Sequence, residues 1–126
     1  MPGELRGHAE FAAAQLRKMA REISGAMVKH QLKLADRQCR MSELSARVQS
    51  LVVILCTSLY ASRQTNELVR KAADGLCRTL TRQFTGARPS DRDLRDLTDL
   101  GAAIAEDGKA FVGGVAAPPI LMPYRQ

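Results

Sequence analysis

Apolar side chains recur at alternating steps of four and three residues along the first thirty positions, and this pattern constrains the fold more than any other feature. The spacing is typical of an amphipathic helix whose apolar seam packs against another helix. Proline is missing between Glu4 and Phe84, so no proline interrupts long helices there. We therefore predict an all-α fold. The stripe comprises Leu5, Ala9, Ala12, Leu16, Met19, Ile23, Ala26 and His30.

The same periodicity continues along the chain and predicts a single domain, residues 1–126, built as an up-and-down bundle of about four helices. The first two helices are expected to be long and antiparallel. Aliphatic residues must form the core, because aromatic residues make up 4% of the chain and tryptophan is missing. Prolines predict an irregular tail at residues 112–126. The predicted helices cover about residues 4–34, 36–62, 66–84 and 91–111.

The second predicted helix should be the central one. Val52, Ile54 and Cys56 widen its apolar stripe, which predicts contacts from several sides and a buried Cys56. Its longest apolar run, residues 51–56, looks too short to span a bilayer. The stripe itself comprises Met41, Leu44, Val48, Leu51, Leu55 and Leu59.

Helix ends are marked by capping residues. Thr65 is the predicted N-cap of the third helix and Gly86 its terminator. Ser90 and Asp93 predict a capping box on the fourth helix, which should end at Gly113-Gly114. The predicted inner faces are Val69, Ala73, Leu76, Leu80 and Phe84 on the third helix, and Leu94, Leu97, Gly101, Ile104 and Phe111 on the fourth.

A formal net charge of +6 points to a basic face. The excess lies in residues 1–82, which hold 14 Lys/Arg against 7 Asp/Glu. Such a face could bind an acidic protein, an anionic membrane surface or nucleic acid. We do not expect nucleic acid, since an aromatic platform and a helix-turn-helix pattern are missing. The candidate interaction surface is Arg17, Lys18, Arg21, Lys29, Arg37, Arg40 and Arg47.

Patterns that carry chemistry are missing from the sequence. The two histidines and three cysteines show no metal-ligand or nucleophile spacing. The aspartates from Asp91 to Asp99 fit helix capping better than a calcium loop. We predict no catalytic, cofactor or metal site in this chain. Without an apolar leader or a disulfide framework, we expect a cytoplasmic protein or one peripheral to the inner face of a membrane, not a secreted one.

Several short motifs occur in a defined order along the first 63 residues. These are Glu4-Leu5 at the start, Lys29-His30 in a long helix, Gln38 opening the next, and Ala61-Ser62-Arg63 after an apolar run. In this order they resemble the C-terminal region of very-long-chain acyl-CoA dehydrogenases, including family member nine. The segments NELVRKAADGLC and DLGAAIAEDGKAF look similar more loosely.

The resemblance implies a helical accessory domain that packs on the enzyme body and is associated with membrane attachment or partner binding. In that family the flavin, the thioester and the catalytic glutamate belong to the upstream fold. FAD is therefore expected only in an upstream or separate dehydrogenase part, and the chain should not be an enzyme on its own. The expected partner is the dehydrogenase body, another protein or a second copy. A membrane-surface module and a basic nucleic-acid-associated protein remain as alternatives.

Overall fold

The computed structural model describes residues 1–30 and 38–108, and every regular element there is helical. This confirms the all-α prediction and the four helices. The predicted continuation of the first helix to residue 34, the start of the second at residue 36, and the tail at 112–126 lie outside the described residues, as do Phe111 and Gly113-Gly114. The helices are α1 (Gly3–His30), α2 (Gln38–Ser62), α3 (Glu67–Thr85) and α4 (Asp91–Asp107).

Helices α1, α2 and α3 form the core of the bundle. At one end, Leu5 of α1 packs with Ala61 of α2 and Ala73 of α3. At the other end, Met19 packs with Leu44 and Leu51. The start of α1 therefore meets the end of α2, so the two helices are antiparallel, as predicted. Each fully buried leucine or methionine contributes about 1.5–3 kcal/mol by leaving water.

The middle of the core combines apolar packing with one buried hydroxyl. Ala12, Ile54 and Cys77 pack together and are fully buried. Ser58 is buried beside them and donates a hydrogen bond of 2.6 Å to the carbonyl oxygen of Ile54, four residues earlier. That bond satisfies a polar group that would otherwise be costly to bury.

The stripe on α1 is confirmed for residues 5–26, whereas the side chain of His30 lies outside the part that the structure describes. The burial predicted for α2 is wrong at three positions: Ile54 is buried, but Val52, Cys56 and Leu59 are exposed. The buried cysteine is Cys77, on α3. The physical reason is that the core contacts made by α1 and α3 all fall on one half of α2, so its other half stays open.

Two of the four predicted helix ends are confirmed. Helix α4 ends earlier than predicted, at Asp107, where Gly108 is the C-cap and glycine is a poor helix former. Gly86 adopts φ 74°, the left-handed conformation that favours glycine, and closes α3. Ser90 and Asp93 form the reciprocal capping box of α4. The N-cap of α3 is Asn66 rather than Thr65: its side-chain oxygen accepts from the backbone N–H groups of Leu68 at 2.9 Å and Val69 at 3.4 Å.

Helix α4 lies antiparallel on the outside of α3, and none of its seventeen residues is fully buried. Leu97 and Leu100 contact α3 at Gly75. The predicted inner face of α4 is wrong at Leu94, which is 50% exposed, and at Gly101, which is exposed and where an added Cβ would meet open space. The reason is that Asp93 and Asp96 turn towards arginines of α3 and set the rotation of the helix. On α3 the prediction fails at Leu76, which is 46% exposed.

Among the described helices, α2 alone has the length and apolar composition of a membrane span. The prediction that its apolar stretch is too short to span a bilayer considered only the short apolar run and not the whole helix. The same length and composition suit the core helix of a soluble bundle. Here α2 supplies five buried residues to the core. The two helices that cover it carry many charged residues on their outer faces.

Candidate docking surfaces

The solvent-facing side of α2 is uncharged after Glu43, over about four turns. Every exposed residue there is a serine, a glutamine, an alanine or a larger apolar side chain. We call this surface the α2 strip. It comprises Ser42, Ser45, Ala46, Gln49, Val52, Val53, Cys56, Leu59 and Tyr60.

The second half of the α2 strip is a contiguous apolar patch. Val52 is 43% exposed, Val53 44%, Leu59 47% and Tyr60 62%, and the exposed Cys56 lies among them. Positions 52, 56 and 59 are separated by four- and three-residue steps, and so are positions 53, 56 and 60, which places both sets side by side on one helix face. A contiguous apolar patch of this kind marks an interaction site more often than a scatter of single exposed residues does.

The charged residues of α2 lie at its start and on the side that faces α1. Arg40 lies 4.0 Å from Glu22 of α1 and 3.8 Å from Glu43, and Arg40 and Glu43 stay more than half exposed. Arg47 pairs with Glu22 at 3.5 Å, and its guanidinium lies 4.8 Å from the ring centroid of Phe84. An amphipathic helix of a monomer normally points its charges outward. In α2 no charged residue follows Arg47, so the outer face of the second half of the helix is uncharged.

The basic residues predicted as one interaction surface are divided by the structure. Arg17, Lys18, Arg21 and Lys29 are exposed on α1. Arg40 and Arg47 lie on α2 near Glu22 of α1, with Arg40 55% and Arg47 35% exposed. Arg37 lies outside the described residues.

A second surface feature is the groove of about 550 Å³ between the start of α1, α3 and α4. Two ion pairs cross it: Arg82 lies 3.2 Å from Asp93, and Arg78 lies 3.5 Å from Asp96. Within α3, Arg78 also lies 2.9 Å from Asp74. The Ser90 backbone N–H and hydroxyl both donate to Asp93 and lower its pKa. These contacts hold α4 on α3.

The groove does not favour one class of charged ligand. Five cationic and six acidic side chains line it, so an anion and a cation would each meet groups of like charge. Its arginines at positions 78 and 82 are already paired with carboxylates. The groove is therefore explained as the seam between α3 and α4.

A histidine and a carboxylate, distant in sequence, meet where α1 crosses α3. His8 Nε2 lies 2.8 Å from Asp74 Oδ1, and each side chain is only 16% exposed. A carboxylate can only accept, so Nε2 donates. This hydrogen bond from His8 is the largest cause that lowers the pKa of Asp74, and Arg78 adds to it. Sequence reasoning missed the pair, since 66 residues separate its members.

The pair does not form a nucleophilic triad with the nearby cysteine. Cys77 Sγ lies 3.6 Å from Ser58 Oγ and 3.7 Å from the carbonyl oxygen of Ile54. Burial raises the pKa of the Cys77 thiol, which disfavours the thiolate that such chemistry needs. The histidine–aspartate pair is thus a contact between α1 and α3.

In residues 1–30 and 38–108, no group of three or more His, Cys, Asp or Glu side chains is arranged so that it could bind a metal ion. Comparisons with protein-family models, with curated proteins and with solved structures give no match to this chain. Its function is therefore argued from its own surfaces, and the α2 strip is the feature that most needs a partner.

Proposed function

We propose that this chain is a non-catalytic helical docking module that acts through the α2 strip. The observation that carries the proposal is the uncharged outer face of α2. Arg47 turns to Glu22 of α1 and no charged residue follows it in the helix, while Val53, Leu59 and Tyr60 are 44–62% exposed. Covering an apolar patch of this kind with a partner removes it from water and favours association.

The class of partner is proposed from the ordered sequence motifs. They resemble the C-terminal domain of very-long-chain acyl-CoA dehydrogenases, so the proposed partner is the flavin-bearing body of such an enzyme. The FAD and the catalytic glutamate would belong to that body. The role of this chain would be to pack on it, in the setting of fatty-acid β-oxidation.

Size exclusion tests the proposal directly. The chain is mixed with an acyl-CoA dehydrogenase body from the same genome, and flavin absorbance is followed together with the mass of the eluting species. We expect co-elution for the unmodified chain and its loss for Val53→Glu, which places a charge at the centre of the strip. Ser24→Glu adds the same charge at an exposed position of α1 and should co-elute as before. A monomeric chain that never co-elutes would defeat the proposal.

A second function, attachment to an anionic membrane surface, is favoured by a different part of the molecule. The C-terminal half of α1 exposes Arg17, Lys18, Arg21 and Lys29, and next to them Met27 is 52% and Val28 73% exposed. Basic residues beside apolar anchors are typical of interfacial helices. Flotation with anionic and neutral vesicles tests it. Binding to anionic vesicles that is lost in Arg17→Glu/Arg21→Glu supports this function, and absence from both kinds of vesicle removes it.

A further inference from the structure

We infer that the α2 strip also binds the α2 strip of a second copy of this chain, antiparallel and about a two-fold axis. This inference rests on the proposed function, because it names a second copy of the chain as a partner for the same docking surface. Three properties of the strip lead to it: its seven-residue repeat, the gradient of side-chain size along it, and its lack of charge.

The α2 strip has the periodicity of a helix–helix interface. Its residues form rows whose members are seven positions apart. These rows lie on a different face of the helix from the residues that α2 packs against α1. Because these rows are exposed and uncharged, they can pack against another helix, with knobs of one helix entering holes of the other. The rows are Ser42, Gln49 and Cys56; Ser45, Val52 and Leu59; and Ala46, Val53 and Tyr60.

Side-chain size changes along the strip in a way that selects the antiparallel orientation. The first half is small and the second half is large. A two-fold axis at the middle of the strip, near residue 51, places Tyr60 opposite Ser42 of the second copy and Cys56 opposite Ala46. A parallel pair would instead stack Tyr60 on Tyr60 and Ser42 on Ser42, overfilling one end and leaving a gap at the other.

The absence of charge lowers the cost of this association. The charged residues nearest to the strip are Glu43 and Arg47, and both lie beside it on the helix rather than within it. Bringing two strips together therefore leaves these charges at the edge of the interface instead of burying them. The interface is isologous and closes on itself, which gives a dimer rather than a filament.

The size of the strip predicts a weak, reversible dimer. Nineteen residues from Ser42 to Tyr60 span about 28 Å, and a helix about 10 Å wide gives a footprint of about 280 Å² per copy. Stable complexes bury about 800 Å² per partner. We therefore expect a dissociation constant between about 1 μM and 1 mM.

Sedimentation equilibrium of the full chain, over concentrations that span this range, tests the inference. We expect a mass that rises from monomer towards dimer, for the unmodified chain and for Ser24→Glu. Val53→Glu and Ala46→Glu change opposite halves of the strip at exposed positions, so both should stay helical by circular dichroism and monomeric. A monomer throughout the range overturns the inference, and so does a dimer that both variants leave intact.

Cross-linking tests the orientation. With Cys39→Ser as background, Cys56 is the single exposed thiol among the described residues. In the antiparallel dimer the two Cys56 residues lie about 15 Å apart along the helices, so a short bismaleimide should join them poorly. Adding Ala46→Cys should give rapid cross-linking to Cys56 of the second copy. Efficient cross-linking without Ala46→Cys, and no gain with it, would show a parallel dimer and overturn the inference.

The two proposals fail separately. A chain that is monomeric at every concentration, yet co-elutes with the dehydrogenase body, overturns the second-copy inference and keeps the docking function. A dimer that depends on the α2 strip, in a chain that does not co-elute, overturns the dehydrogenase partner and keeps the inference.

Discussion

Removing the contact between His8 and Asp74 should loosen α1 from α3 by a measurable amount. The bond joins Nε2 and Oδ1 at 2.8 Å, and both side chains are 16% exposed, so solvent screens it little. A hydrogen bond to a charged group contributes about 1.5–3 kcal/mol. Asp74 keeps Arg78 at 2.9 Å when the imidazole is removed. We therefore expect a value around the lower end of that range, about 1–2 kcal/mol.

A double-mutant cycle isolates this interaction from the other contacts of each residue. His8→Ala, Asp74→Ala and the double variant are unfolded in urea at pH 7 and one protein concentration, followed by circular dichroism. With a denaturant slope of about 2 kcal/mol/M, His8→Ala should lower the midpoint by about 0.5–1 M. The coupling free energy should be about 1–2 kcal/mol.

The same helix offers a matched control. Arg6 Nε and Glu10 Oε1 are also 2.8 Å apart, but their side chains are 70% and 65% exposed. An exposed pair four residues apart contributes about 0.3–0.5 kcal/mol, so its coupling should be several times smaller. Equal coupling for the two pairs, or a coupling of the buried pair below about 0.3 kcal/mol, would refute the reasoning from burial.

Stability at acid pH should also depend on the contact between His8 and Asp74. The pKa of Asp74 in the folded state lies below its ordinary value of 3.8, chiefly because His8 donates to it. A lowered pKa contributes stability that is present above the ordinary value and is lost as pH falls through the folded-state value. The free energy of unfolding should therefore decrease below about pH 4, and less steeply in His8→Ala. An identical slope in both proteins would contradict this assignment.

Three further outcomes are expected. Gly101→Ala should raise the free energy of unfolding by about 0.5–1 kcal/mol, because its methyl group meets open space. Gly75→Ala should raise it less, because its methyl group would lie 3.1 Å from Leu100 Cδ2. Equal urea midpoints for the two variants would contradict the packing of α4 on α3. In about 1 M NaCl the Debye length is about 3 Å, so salt screens the ion pairs between α3 and α4. Hydrogen exchange should therefore accelerate more in α4 than in the core helices, and equal acceleration in all helices would contradict a role of these ion pairs in holding α4. Cys77 should react with maleimide at least about a hundredfold more slowly than Cys39, and similar rates by mass spectrometry would contradict its burial.

Local patterns predicted the parts of this fold that local forces determine. The four- and three-residue steps of α1 identified Leu5, Ala12 and Met19, all of which are buried. Gly86 and the capping box at Ser90 were predictable because each acts within a few residues of itself.

Features that depend on neighbouring helices could not be predicted. Hydropathy marks Ile54 and Val52 alike, and only the positions of α1 and α3 decide that the first is buried and the second is 43% exposed. The rotation of α4 depends on ion pairs of Asp93 across to α3. The contact of His8 likewise requires knowing that α1 and α3 are adjacent. The α2 strip became visible only when the covered half of the helix was known.

The most direct measurement of whether the α2 strip is a docking surface is the rate of thiol labelling at two cysteines of the same helix. Cys39 and Cys56 are both exposed, and only Cys56 lies in the strip. The two rate constants are measured with excess maleimide as the chain concentration rises, and again with added dehydrogenase body. If the strip is a docking surface, labelling of Cys56 slows with partner or concentration while that of Cys39 is unchanged. A ratio of the two rates that stays constant under every condition would contradict it.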